Sequence, residues 1–349
     1  MAKLAFILGT RPEIIKLYSC IRYCSQNNID HIVVNTDQHY DANMRDIFFD
    51  ELGLDRPNYN LNIGSGSHAA QLAHMLIAIE EVLVKERPRV VVVQGDTNTV
   101  LAGALVASKL GIKVAHVEAG LRSYDRTMPE EYNRVLTDHC SDYLFAPTKK
   151  QGDILKKEGI TPSSVYVTGN TIVDAVEEIA AGAQSPSDHQ YLLLTCHRPS
   201  NTDSPENLAA ILGAISNICL MNNIDCLFPV HPRLTSQLSF IKSFKRIKVL
   251  EPLSYARLLG AIKGASMVLT DSGGIQEEAC VLERKCLILR TNTERPETLE
   301  VGGAELLNEV SAAEIKRQYD VLSKKSVTWS NPFGDGKSGA RIVEILSKS

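Results

Sequence analysis

The chain has 349 residues, enough for two domains at about 150 residues each, and 44% of them are hydrophobic, which sets it apart from disordered chains. Its 41 acidic against 37 basic side chains give a formal net charge of −4, a balance opposite to that of general nucleic-acid binders. No apolar run approaches the ~20 residues a membrane-spanning helix needs.

Short β-branched runs recur along the chain. The first series is LAFIL at 4–8, HIVVN at 31–35, VVVVQ at 90–94, KVAHVE at 113–118, YLFA at 143–146 and VYVTG at 165–169. The second is YLLLTC at 191–196, CLFPVH at 226–231, IKVLE at 247–251, MVLTD at 267–271 and CLILR at 286–290. Segments of helical periodicity lie between them, as at 71–86 and 205–221. Continuous apolar strands alternating with amphipathic helices predict parallel sheets covered on both faces. These strands exceed one open sheet, so two doubly wound, Rossmann-like α/β domains are expected. The pattern breaks at AAGAQSPSDHQ, which places the domains at 1–170 and 171–338.

The short apolar stretch of MAKLAFILGTRPE lacks the length and cleavage site of a signal peptide. The eight cysteines form no C-x-x-C pair and read as buried reduced thiols, so a cytoplasmic protein is expected.

In open α/β sheets ligands bind beyond the carboxyl ends of the strands. Those ends read G-T-R-P-E (9–13), T-D-Q-H-Y (36–40), Q-G-D-T (94–97), H-V-E-A-G (116–120), T-C-H-R (195–198), V-H-P (230–232) and D-S-G-G (271–274). Polar ends supplied by both domains imply an interdomain cleft that does chemistry on a polar ligand. Ser272, Gly273 and Gly274 open a helix whose free N–H groups and positive end suit a phosphate, and Glu278 one turn on suits a ribose diol. The same residues also read as a plain N-cap with a Gly-rich entry. Arg11 is placed to hold a second anionic oxygen, with Lys16 one turn on, or to be a solvated surface side chain.

Asp96, Glu118 and Glu130 are the candidate acids and bases, and carboxylates at the ends of buried strands are expected to carry raised pKa values. Taken singly, each also fits an N-cap or a pair with Arg122, Arg126 or Arg134. His197 with Arg198, and His231, close strands of the second domain and are expected to contact ligand. The histidines lack metal-ligand spacing, so no metal site is expected. No G-x-G-x-x-G and no G-x-x-x-x-G-K-[ST] is present, so a nucleotide would be part of the substrate, and no cofactor is expected.

Nine stretches together carry a resemblance: GTRPEIIK, DQHYD, QGDTNTVLAG, HVEAGLRS, MPEEYNRVLTDH, CHRPSN, PVHPR, DSGGIQEEA and RTNTERPE. In this order, over residues 9–297, they resemble the non-hydrolysing UDP-N-acetylglucosamine 2-epimerases. The resemblance implies two Rossmann-like domains of the GT-B type, with the last helix at 339–349 packing back on the first domain. It implies a homodimer, a UDP-sugar substrate, and reversible inversion at C2 of UDP-GlcNAc to UDP-ManNAc through loss and re-addition of UDP. The product would feed surface polysaccharide synthesis. It assigns the acid and base work to Asp96, Glu118 and Glu130, and a phosphate or reacting-centre contact to His197. Arg11, Lys16, Arg198, His231, Ser272, Gly273, Gly274, Glu278 and Arg295 would bind substrate, and Leu253 and Leu258 its uracil. Gln38, His39 and Gln71 fall near an effector site, together with Arg198 and His231. Two positions depart from the family pattern: Asp37 stands where Gly is usual, and Ser200 where Glu is usual. A C2 epimerase of a 6-deoxy UDP-HexNAc, a GT-B glycosyltransferase, a UDP-sugar sensor and a hydrolysing epimerase are the competing readings.

Overall fold

Branched Val, Ile and Leu side chains suit a pleated surface buried on both faces, and they build the strands of a computed structural model that describes residues 3–37 and 49–348. The chain divides into two units, Met1–Glu177 with Phe333–Ser349, and Glu178–Pro332. Three hydrogen bonds tie the two stretches of the first unit together. Asn170 donates its N–H to Phe333 O at 2.7 Å, and the Asp174 carboxylate accepts from Ser338 and Gly339 at the start of the Ser338–Lys348 helix.

Among the described residues, the first unit holds a seven-stranded parallel sheet. Its strands are β1 (Leu4–Leu8), β2 (His31–Asn35), β3 (Tyr59–Asn60), β4 (Val90–Gln94), β5 (Lys113–Val117), β6 (Tyr143–Ala146) and β7 (Val165–Val167). They run in the order β3-β2-β1-β4-β5-β6-β7. Ala5, Ile7, Val91 and Val93 pack with Met75, Ile79, Val100 and Ala104 from the His68–Glu86 and Asn98–Lys109 helices. The strand order reverses between β1 and β4, so the crevice for a ligand opens where those two strands end.

The second unit repeats the plan with six strands: β8 (Tyr191–Thr195), β9 (Asp225–Pro229), β10 (Ile247–Leu250), β11 (Met267–Thr270), β12 (Cys286–Ile288) and β13 (Ala304–Leu306). Their order is β10-β9-β8-β11-β12-β13, and the reversal falls between β8 and β11. The register pairs Thr270 with Thr195, so these two strands end level. Leu192, Leu194, Phe228, Ile215 and Leu269 lie in the core of this unit.

Every strand expected from the sequence is present. β3 and β13 were not foreseen: they span two and three residues at sheet edges, too short for an apolar run to mark them. All eight cysteines are unpaired, and only Cys140 is not fully buried.

Candidate functional site

The end of β1 leaves no room for a side chain. A Cβ on Gly9 would lie 2.1 Å from Thr36 Oγ1 and 2.5 Å from Thr99 Oγ1, so only glycine lets these segments meet. Thr10 then caps the Arg11–Gln26 helix, with Pro12 at its second position. Glu13 turns back to accept the N–H groups of Gly9 at 2.6 Å and Thr10 at 2.9 Å. Its other oxygen takes the Thr97 hydroxyl, which ties the β1 loop to the β4 loop. Burial pushes the Glu13 carboxyl up to about 7, with the nearby Asp96 charge adding to the rise, although its three donors favour ionisation.

One turn along the same helix, Lys16 Nζ lies 2.5 Å from Glu118 Oε1, and the Gln94 amide donates to Glu118 Oε2. Glu118 has φ +71°, a left-handed backbone that is strained for a side-chain-bearing residue. Its N–H and that of Ala119 both donate to Phe145 O.

Asp96 is half-buried past the end of β4. Its Oδ2 accepts from Arg134 Nε at 2.9 Å and Arg134 Nη2 at 2.7 Å, and Asn133 holds its backbone carbonyl. Arg134 also reaches Glu131 at 2.5 Å. Burial opposes ionisation of Glu131, but N–H donors from Ser123 and Tyr124 hold its carboxyl below the usual range. Glu130, the neighbour expected to do chemistry, sits half-buried on the first turn of the Pro129–Cys140 helix.

Behind Asp96 lies a buried polar chain. His116 Nε2 donates to Gly95 O at 2.8 Å, and its Nδ1 lies 2.7 Å from Asp138 Oδ1. Arg122 reaches the other Asp138 oxygen at 2.7 Å. Burial raises the Asp138 carboxyl, and the His116 and Arg122 partners overcome that and lower it. Gln71 is buried nearby, donating to Gly64 O and accepting from Asn98. Gln38 and His39 lie outside the described residues.

In the second unit Asp271 organises the reversal point. Its carboxylate accepts the N–H groups of His197 and Arg198, the Asn201 amide and the Cys196 thiol. Burial opposes its charge, but these donors and the adjacent His197 ring hold Asp271 at about 2. The His197 and His231 rings lie 5.8 Å apart, tilted by 30°.

Ser272 caps the Gly273–Val281 helix and accepts from Ile275 N at 3.5 Å. The opening N–H groups of a helix have no intrahelical acceptor, so those of Gly273 and Gly274 point to where an anion would sit. Arg295 lies over this turn: a Cβ on Gly273 would come within 2.6 Å of Arg295 Nη1. Arg295 pairs with Glu277 at 2.9 Å and Glu294 at 3.4 Å, and Arg290 pairs with Glu294 at 2.9 Å. Burial works against Glu294 ionising, but these arginines hold its carboxyl well below its usual value. Arg198 is lowered by burial and by the charge of Arg290. Arg198, Arg290 and Arg295 thus gather with Asp271, Glu277 and Glu294 at the mouth of a helix whose own dipole is positive. Glu278 is buried on the same helix, and Leu253 lines a cavity of about 360 Å³ with Gln184, Pro186 and Arg257. Leu258 stands half-buried on the Tyr255–Gly264 helix.

Within the first unit the structure brings Lys16 onto Glu118 and sets Asp96 past the end of the adjacent strand, with Arg11 on the first turn of the helix that carries Lys16; within the second it brings together His197, Arg198, Ser272, Gly273, Gly274 and Arg295. Sequence reasoning missed Glu13, Arg290, Glu294 and the gathering role of Asp271. The capping-box spacing of Thr10 and Glu13 was the one available signal for Glu13. Among the described residues no group of three or more His, Cys, Asp or Glu side chains is arranged to hold a metal ion, and no helix is long and apolar enough to cross a membrane.

Two doubly wound parallel sheets, each with polar residues at its point of reversal, define a GT-B-like α/β protein. The chain belongs to the UDP-N-acetylglucosamine 2-epimerase family, whose sequence model matches residues 22–347. It is 53% identical to the UDP-N-acetylglucosamine 2-epimerase of Methanocaldococcus jannaschii, over 99% of each chain. It is 48% identical to that of Methanococcus maripaludis, over 99% of this chain and 98% of the other. The solved structure of the Methanocaldococcus jannaschii enzyme in complex with UDP-GlcNAc and UDP matches with a TM-score of 0.89 at 51% identity, covering 99% of this chain and 100% of that one.

Proposed function

We propose that the protein interconverts UDP-GlcNAc and UDP-ManNAc by inverting C2, with no added cofactor. The C2 proton of the sugar is not next to a carbonyl, so its direct removal needs another source of activation. Elimination supplies it. The C2–H bond breaks as the C1–O bond to UDP breaks, the proton goes to a protein base, and 2-acetamidoglucal with UDP remains. A proton then returns to C2 on the opposite face, and a UDP oxygen re-forms the bond to C1.

The observation that carries this reading is the gathering of Lys16, Glu118 and Asp96 at the carboxyl ends of the central strands of the first sheet. Asp96, Glu118 and Glu130 move the protons. His197 touches the diphosphate or the reacting carbons. Ser272, Gly273, Gly274, Arg295, Arg198 and Arg11 stabilise the charge that develops on departing UDP. Lys16 holds Glu118 in its buried place. Glu278 takes the ribose, His231 the substrate beside His197, and Leu253 and Leu258 the uracil. Gln71, with Gln38 and His39, belongs to an effector site. The protein works as a homodimer, a reading supported by exposed Ile77, Val84, Tyr132 and Leu136 on two helices that flank Asn98–Lys109. Eight unpaired cysteines accord with a cytoplasmic location.

The test is to incubate purified protein with UDP-GlcNAc, and separately with UDP-ManNAc, and to follow both sugars by anion-exchange chromatography. The same final mixture from either side is expected. Free ManNAc accumulating with UDP would make the protein a hydrolysing enzyme instead. Analytical ultracentrifugation showing only monomer would remove the dimer.

A further inference from the structure

His197 follows β8 and Asp271 follows β11, and the two strands end level at the reversal point of their sheet. His197 Nδ1 lies 3.0 Å from Asp271 Oδ1. Asp271 cannot turn away, because both its oxygens are already held. The His197 N–H lies 3.1 Å from each oxygen, while Arg198 N at 3.0 Å, Asn201 Nδ2 at 3.2 Å and Cys196 Sγ at 3.3 Å all reach Oδ2. The side chain is fully buried, whereas the His197 ring is 41% exposed. A fixed, buried acceptor thus meets one ring nitrogen, and the other nitrogen looks outward.

We propose that Asp271 is a positioning residue for His197: its carboxylate keeps the ring proton on Nδ1, so that Nε2 is the atom His197 presents to the UDP-sugar. This rests on His197 contacting substrate, as proposed above. An ionised carboxylate only accepts, so the facing ring nitrogen must be the donor. With its carboxyl held at about 2, Asp271 is ionised at neutral and alkaline pH. The neighbouring ring is held the opposite way. His231 Nδ1 accepts the Arg233 N–H at 3.2 Å, so neutral His231 carries its proton on Nε2. Two imidazoles 5.8 Å apart therefore carry opposite tautomers, an acceptor Nε2 on His197 beside an N–H on His231.

The experiment is nitrogen-15 NMR of full-length protein with labelled histidine, recorded at alkaline pH where the rings are neutral. His197→Gln and His231→Gln assign the signals by their loss. The expected result is an Nδ1–H tautomer for His197 and Nε2–H for His231, and an Nε2–H tautomer for His197 in the wild-type protein overturns the proposal. In Asp271→Asn, whose amide can donate, His197 is expected to shift toward Nε2–H. Its kcat should fall about 10²-fold or more with KM changed less than roughly threefold. A folded Asp271→Asn with wild-type kcat overturns the proposal as well. Should that variant fail to fold, the wild-type spectrum still decides. Full activity in His197→Gln would instead sink the reading of His197 as a substrate contact, while the tautomer spectrum would still test the hold of Asp271.

Discussion

Lys16 and Glu118, 102 residues apart in the chain, form an ion pair at 2.5 Å with both side chains buried. The pair pins a strained backbone, since Glu118 sits at φ +71°, to the first helix of the unit. Removing one partner of a buried pair leaves a charge without its counter-ion. Lys16→Met is therefore expected to cost about 3–5 kcal/mol in urea unfolding. Lys16→Met with Glu118→Gln should recover most of that stability and none of the activity. Equal loss of stability in the single and double variants would show that the pair carries little of it.

Glu13 gives the fold a pH dependence of unusual sign for a carboxylate. Its folded value of about 7 lies above its ordinary 4.5, so the folded chain holds this proton where the unfolded chain has released it. Between those values the unfolded state binds fewer protons, and stability falls as pH rises, by about 3 kcal/mol from this group. Glu13→Gln keeps an acceptor for Gly9 and Thr10 and has no proton to lose. Its stability should change less between pH ~5 and ~8 than the wild type's. An identical slope in urea titrations at the two pH values would contradict the assignment.

Gly273 and Gly274 separate crowding from ligand approach. A Cβ at Gly273 meets Arg295, while at Gly274 the nearest atom is Ser272 Oγ at 3.9 Å. Gly273→Ala should lower Tm and weaken UDP binding. Gly274→Ala should leave Tm unchanged or raise it, by helix propensity, yet still weaken UDP binding if phosphate oxygens pack on this turn. Calorimetric titration with UDP reads the second effect, and unchanged UDP affinity in both variants would move the phosphate elsewhere.

Asp96 pairs with Arg134 at a half-exposed position, so losing the charge should cost only about 1 kcal/mol of stability. Asp96→Asn should nonetheless lower kcat by about 10²–10⁴-fold. A variant with near-wild-type kcat would take Asp96 out of the proton-transfer steps.

Strands and their polar ends were legible because both signals are local: a β-branched run, then Gly, Asp, His or Ser where the sheet stops. β3 and β13 were not, being edge pieces with no run to count. The contacts that set the chemistry were illegible for a related reason. His116 meets Asp138 across 22 residues and His197 meets Asp271 across 74, and no spacing rule links such positions before the sheet is built. The departures from the family pattern find their reasons only in three dimensions. Asp37 replaces the usual glycine at φ +59°, a left-handed backbone that Asp tolerates better than most residues. Ser200 is exposed, and the neighbouring Asn201 carries the buried contacts to Asp271 and Leu289 O.

The most direct measurement is proton NMR of the purified protein with UDP-GlcNAc in D₂O and no cofactor. Elimination and re-addition predict UDP-ManNAc whose C2 carries deuterium, with deuterium entering C2 of the remaining UDP-GlcNAc as the two equilibrate. UDP-ManNAc formed with its C2 proton intact, or no UDP-ManNAc at all, would contradict the account.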